Sequence, residues 1–120
     1  MDNSDKPKKV FMKNFIEINA LKSHEIIPGF KGRFIHTEKM TISYWTIKKG
    51  SKLPEHNHPH EQVSQVIDGT FQLTINGETK EMMPGNTAVI PSNAIHSGLA
   101  LSDCHVMDIF VPAREDYMVE

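Results

Sequence analysis

Three histidines stand at alternate positions in Pro54-Glu55-His56-Asn57-His58-Pro59-His60-Glu61-Gln62, with further oxygen donors directly behind them. Imidazole nitrogen is the commonest protein donor to transition metals. Residues i and i+2 of an extended strand project from the same face, so His56 and His58 can converge on one point. Histidine must be neutral to ligate, and an ordinary pKa of about 6.5 already favours that form at neutral pH. The same residues also suit a polar, histidine-rich loop open to water, and the H-x-H pattern alone does not separate the two.

Gly50 and Gly69 frame this stretch, and a second one follows over Gly85-Asn86-Thr87-Ala88-Val89-Ile90-Pro91-Ser92-Asn93-Ala94-Ile95-His96. Together the two resemble the paired motifs of the cupin superfamily. Gly50, His56, His58 and Gly69 fall in the register of the first motif, and Gly85, Pro91 and His96 in that of the second. The family's Glu, Gly and Asn positions hold Gln62, Asn93 and Ala100 instead. The resemblance implies an all-β jelly roll in which His56, His58, Gln62 and His96 surround one divalent transition metal. Nickel, zinc, iron, manganese and cobalt all remain candidates. Pro59 interrupts pairing after His58, which lets the chain bend and bring Gln62 back, and a turn over residues 91–95 delivers His96 from another strand. His60 and Glu61 fall between the ligand positions and are expected to support the site or to face water. With an amide in place of a carboxylate, all four donors are neutral. The cation then keeps its full charge, which favours anionic substrates and strong polarisation of their oxygens. It also departs from the two-histidine, one-carboxylate set of non-haem iron oxygenases.

A second group of residues stands near the end of the chain, in Asp108-Ile109-Phe110-Val111-Pro112-Ala113-Arg114-Glu115-Asp116-Tyr117. Asp108 and Phe110 share one strand face, and Asp108 lies among residues that prefer burial. A buried carboxylate needs a partner or takes a raised pKa. One reading pairs Asp108 with Arg114, or with a neighbouring strand, as a structural contact. The other turns Asp108 toward the metal cavity as a proton-transfer group and makes Arg114 a two-pronged clamp for a substrate carboxylate. Phe110 suits either the plain core or the wall of a sugar pocket. Here the likeness narrows, because H-x-H-P-H-E-Q over 56–62 and D-x-F-x-P-x-R-E-D over 108–116 are similar to the KdgF-type pectin-degradation cupins, across roughly residues 30–117. That resemblance makes Gln62 an expected ligand. It implies Asp108 and Arg114 as catalytic residues and Phe110 and Arg114 as substrate-binding ones. It also implies an activity, the conversion of 4,5-unsaturated uronates from pectin or alginate into open-chain keto acids. A dioxygenase, another sugar-acid isomerase and a non-catalytic sugar-binding cupin are the alternatives, since one fold hosts many functions.

The elements that must position these residues read as strands. Runs at 15–18, 33–36, 40–48, 62–68, 70–75, 87–90 and 105–111 have strand-like composition, and Pro28-Gly29, Lys49-Gly50, Asp68-Gly69, Asn76-Gly77 and Pro84-Gly85 punctuate them. Asp-Gly and Asn-Gly favour two-residue hairpins, whose primed turns need positive φ. Many short strands at even spacing predict an antiparallel sandwich or barrel. This gives a single domain over 15–120 behind a polar, flexible tail over 1–14, with only residues 113–118 suited to a helical turn. A chain of 120 residues can bury a core without disulfides. Its net charge of −2 argues against nucleic acid or an anionic membrane as partner, and no apolar run approaches a membrane span. The single cysteine, Cys104, is expected to be a buried small hydrophobe. A reducing compartment follows from that usage, and the cytoplasm is the expected location, with no secretory signal pattern at the N-terminus. A homodimer that covers a sheet edge is the expected assembly.

Overall fold

Glycine-bearing turns divide the described residues, 13–118, into ten strands that pack as two antiparallel sheets. In this computed structural model they are β1 (His24–Ile27), β2 (Phe30–His36), β3 (Thr41–Ile47), β4 (Lys52–His56), β5 (Glu61–Asp68), β6 (Phe71–Ile75), β7 (Glu78–Met82), β8 (Thr87–Ile90), β9 (His96–Ala100) and β10 (Cys104–Val111). Short 3-10 turns at Ile18–Ala20 and Glu115–Tyr117 are the helical elements of the described residues. The larger sheet runs β1-β2-β3-β10-β5-β8 and the smaller β4-β9-β6-β7. Alternate residues of β3, β5 and β10 are buried, as a sheet with one face on a core requires. The architecture is the all-β jelly roll that the resemblance implies, with a short helical turn near the C-terminus.

The turn chemistry explains some boundaries and corrects others. Asn76 (φ 47°) and Gly77 (φ 84°) join β6 to β7 directly, the pair of positive φ values that a primed hairpin turn requires. Asp68-Gly69 was expected to act alike, but β5 and β6 lie in different sheets, so this turn carries the chain across the sandwich. The expected strand at 15–18 is absent. Phe15 is 93% exposed and Ile18 opens a 3-10 turn, so the run finds no sheet to join. The expected flexible tail falls on residues outside those described, apart from 13 and 14. Strands β1 and β7 have no counterpart among the expected runs, and β4 and β9 have one only as the unbounded strands that carry His56 and His96. In β7, Glu78–Met82, all but the last residue are exposed, and β4 contains Pro54. Both are edges of the smaller sheet, where charge and proline discourage pairing with another chain.

Cross-strand register sorts the interior face of the larger sheet into rows. Phe30, Ile47 and Cys104 form one, then Gly32, Trp45, Val106 and Val66, then Phe34, Ser43, Asp108, Ser64 and Ala88, then His36, Thr41, Phe110, Gln62 and Ile90. The first two rows are apolar apart from the indole N–H and the Cys104 thiol, and with Phe71, Leu73 and Ala100 of the smaller sheet they make the core. Each large apolar side chain buried there stabilises the fold by about 1.5–3 kcal/mol. Cys104 is 2% exposed, in keeping with its expected role as a small hydrophobe. No helix among the described residues is long and apolar enough to cross a membrane.

Candidate metal centre and its cavity

His56 is the last residue of β4 and His96 the first of β9, and the two lie directly opposite one another. Their ring centroids are 4.1 Å apart, and the His58 ring stands 4.9 Å from that of His96 and 5.7 Å from that of His56. His58 lies beyond the end of β4 rather than on one strand with His56. The link before β5 nonetheless turns it to the same point. One ring nitrogen from each histidine lies within 4.8 Å of the others. Asn93, with φ 63°, shapes the turn that delivers His96, so asparagine takes over the left-handed position where the family has glycine.

The hydrogen bonds fix which nitrogens point inward. Each Nδ1 lies close to a backbone carbonyl two residues away: Pro54 at 2.8 Å for His56, His60 at 3.0 Å for His58 and Ala94 at 2.9 Å for His96. A carbonyl only accepts, so Nδ1 carries the proton and donates in all three. The Nε2 lone pairs are thereby left free, the arrangement that metal-binding histidines use. Nε2 of His96 is buried and has no hydrogen-bond partner. Nε2 of His58 lies 3.0 Å from Oε1 of the buried Gln62. With Nδ1 already donating, Nε2 could donate to that oxygen only in the imidazolium form. Burial lowers the His58 pKa and works against that form, with the charge of Arg114 adding to the effect. Burial likewise lowers His96 to about 4. The rings of His58 and His96 are thus neutral at neutral pH; the His58 lone pair meets the amide oxygen with no proton between, and that of His96 meets no donor. The set therefore fits a cation. His60 contributes its carbonyl to His58 and packs its ring edge-on against His58 and Phe110, while Glu61 is exposed.

The same cavity, of about 340 Å³, is lined by Asp108, Phe110 and Arg114 as well as by the histidines and Gln62. Asp108 is 7% exposed, and its Oδ2 accepts a hydrogen bond of 3.0 Å from the Trp45 indole N–H. Its Oδ1 is buried without a well-formed hydrogen bond, although Ser64 and Gln62 stand close enough to favour its charge. Burial outweighs these contacts and raises the Asp108 pKa to about 6. Of the two structural contacts the sequence allows Asp108, the one with a neighbouring strand forms, to Trp45 of β3, and the pair with Arg114 does not. Arg114 instead donates from Nε and Nη2 to the two carboxylate oxygens of Asp116, at 2.9 and 2.7 Å. That contact holds the Asp116 pKa below its ordinary value. The Arg114 guanidinium lies 4.7 Å from the Phe110 centroid and 4.1 Å from that of Tyr117. Its backbone N–H donates to the buried Thr41 hydroxyl at 2.8 Å.

Trp45, Asp116 and Tyr117 are among the cavity residues whose roles the sequence alone does not assign. Tyr117 stacks on Phe34 at 5.0 Å, meets Trp45 edge-on at 5.8 Å, and its carbonyl lies 3.1 Å from Nε2 of His36. These contacts hold the C-terminal turn against the larger sheet. The D-x-F-x-P-x-R-E-D string already contains Asp116, but nothing in it says that this residue takes the fork of Arg114.

Residues 43–110 match the cupin domain model, and the chain belongs to the cupin family. Within that family its likeness is to proteins of the KdgF type. It is 31% identical over 72 residues to the pectin degradation protein KdgF of Dickeya dadantii (strain 3937), covering 58% of this chain and 66% of that one. The structure of KdgF from Halomonas sp. superimposes with a TM-score of 0.82 at 27% identity, over 87% of this chain and 99% of that one. An RmlC-like cupin from Shewanella frigidimarina NCIMB 400 gives a TM-score of 0.85 at 25% identity, over 89% and 97% of the two chains. The H2HPP isomerase of Bacillus subtilis is 26% identical over 100 residues, which cover 81% of this chain but only 42% of the isomerase. The chain thus spans less than two thirds of the length of either sequence relative.

Proposed function

We propose that the chain is a metal-dependent enzyme that converts 4,5-unsaturated monouronates into linear 5-keto-4-deoxyuronate. The observation that carries this reading is the convergence of three imidazole lone pairs and one amide oxygen in a cavity that also holds Asp108 with an unengaged Oδ1. His56, His58, Gln62 and His96 would hold one divalent cation, with nickel, zinc, iron, manganese and cobalt as candidates. When bound, such a cation polarises substrate oxygens as a Lewis acid. Likeness to KdgF of Dickeya and of Halomonas supports a link to pectin breakdown.

The reaction is an isomerisation and consumes no net proton. Opening the ring takes a proton from the anomeric hydroxyl and breaks the bond between C1 and the ring oxygen, which leaves an aldehyde at C1 and an enolate at C5; returning one proton to C4 completes the ketone. A group that both accepts and gives a proton near neutrality suits this exchange, and burial has moved Asp108 toward that range. Arg114 has its Nε–Nη2 edge on Asp116, so its remaining N–H donors are those available to a substrate carboxylate. Phe110 and Tyr117 meet edge to face and each lies against that guanidinium, and the ring surface they turn to the cavity would offer apolar walls to the sugar ring. We take a cytoplasmic homodimer as the working form, which sedimentation velocity tests.

The decisive experiment mixes purified, metal-loaded protein with lyase-generated unsaturated monouronate and follows absorbance of the double bond conjugated to the carboxylate. Absorbance should fall, stop falling in chelator, and resume when a single divalent metal is restored. Persistent absorbance with loaded protein overturns the reading. Oxygen uptake during the assay would instead favour dioxygenase chemistry.

A further inference from the structure

The cavity is graded along the strands. The rows that contain Asp108, Ser64, Phe110 and Gln62 form one half, and on the facing sheet His56 and His96 lie at the same end. Two residues back along β3 and β10 the lining becomes Trp45 and Val106, and beyond them Phe30 and Ile47. On the smaller sheet, Leu53 lies opposite Gly98 and Phe71 opposite Ala100, again displaced from the histidines toward the same apolar end. Ile26 and Ile27 of β1 complete this half. Gly32 and Gly98 keep the sheets bare here, and a Cβ at either would collide with rings, Phe34 and Trp45 at the first and Phe71 at the second. The rings therefore lie close against the sheets and leave room between them.

The unsaturated uronate carries oxygen on every ring carbon except C4 and finds its partners in the polar half. The apolar half offers those oxygens nothing, and a polar group buried without a partner binds poorly. We infer that the cavity contains a hydrocarbon subsite, so that its ligands extend to monocarboxylates with a compact apolar body. The carboxylate would sit with the histidines and Arg114, and the body between Leu53, Phe71 and Val106. Successive rows are about 7 Å apart along a strand, which suits a six-carbon chain or a phenylpropyl group. The cavity volume of about 340 Å³ admits such an acid. This subsite does not depend on the uronate reaction.

Calorimetric titration of the metal-loaded protein with acetate, butanoate, hexanoate and 3-phenylpropanoate tests it. Affinity should rise about fourfold for each added methylene up to hexanoate, with a negative heat-capacity change that grows along the series. Leu53→Asn should flatten that rise, and Ile27→Asn, on a different strand, gives the same readout should the first variant fold poorly. Affinity that stays level from acetate to hexanoate overturns the subsite, as does a rise that survives both substitutions. Uronate turnover with a level series sinks the subsite alone, and a rising series in a protein without uronate turnover sinks only the uronate reading.

Discussion

The three histidines take their orientation from carbonyls two residues away, whereas Asp108 is held by Trp45, 63 positions away. Arg114 has one local partner, Asp116, but its backbone hangs from Thr41, 73 positions away, and its turn from His36, which touches the carbonyl of Tyr117 across 81 positions. Both groups line one cavity. The difference teaches that each histidine ring takes its aim from its own turn, with the turns of His58 and His96 tied together by the Asn93 N–H on the His58 carbonyl, while the Asp108 and Arg114 region is a product of the whole sandwich. Damage to the first should stay local, and damage to the second should spread into stability.

The sharpest way to break that contrast is His58→Ala. Loss of one of the neutral donors should weaken metal affinity by more than about 100-fold and abolish turnover, with the melting temperature in chelator almost unchanged. Metal analysis after dialysis reads the first effect, and full occupancy would point to His60 as the true donor. Asp108→Asn should keep its metal and lose about 10²–10⁴-fold in kcat. It should also make the metal-free fold more stable at pH 7.5. Asp108 has a folded pKa of about 6 against an ordinary 3.8, so ionisation is easier in the unfolded chain. The resulting penalty is absent below pH 3.8, grows through the window between those values, and is complete above about pH 6. It amounts to roughly 3 kcal/mol, and the stability gap between variant and wild type should close as pH falls through that window. A variant with wild-type turnover ends the catalytic assignment.

Smaller effects sharpen the comparison. Gln62→Glu should retain metal yet lower kcat/KM by about tenfold, because the added charge offsets the cation and repels an anionic substrate; an unchanged rate would contradict that electrostatic account. Arg114→Lys keeps the charge but loses the fork on Asp116 and the planar contact with Phe110 and Tyr117. Its damage should appear chiefly in KM, with roughly 0.5–2 kcal/mol of lost stability from the ring contacts. A drop confined to kcat would move Arg114 away from substrate binding.

The same contrast explains what could be read before the fold was known. His56, His58, Gln62 and His96 could be named together because two spaced motifs resemble those of the cupins; strand alternation alone would have misplaced His58, which lies beyond the end of β4. Asp108 announced itself as a charge in an apolar run, but its partner did not: Trp45 lies on another strand, and only the β3–β10 register brings the two together. Asn76-Gly77 predicted its hairpin because both residues adopt the required φ. Asp68-Gly69 did not, since the local turn carries no record of which sheet the next strand joins. Strand β7 went unseen because an exposed edge of Glu, Thr and Lys has no apolar alternation to reveal it. Its place comes from pairing with β6.

Trp45 is the only tryptophan in the chain, and it stands where the apolar rows meet Asp108. The molecule therefore carries its own optical gauge. Excited at the red edge, beyond the tyrosines, the protein emits from the wall of its cavity and from nowhere else. Filling of the cavity, or a change of charge on the carboxylate beside the indole, becomes visible in unlabelled protein.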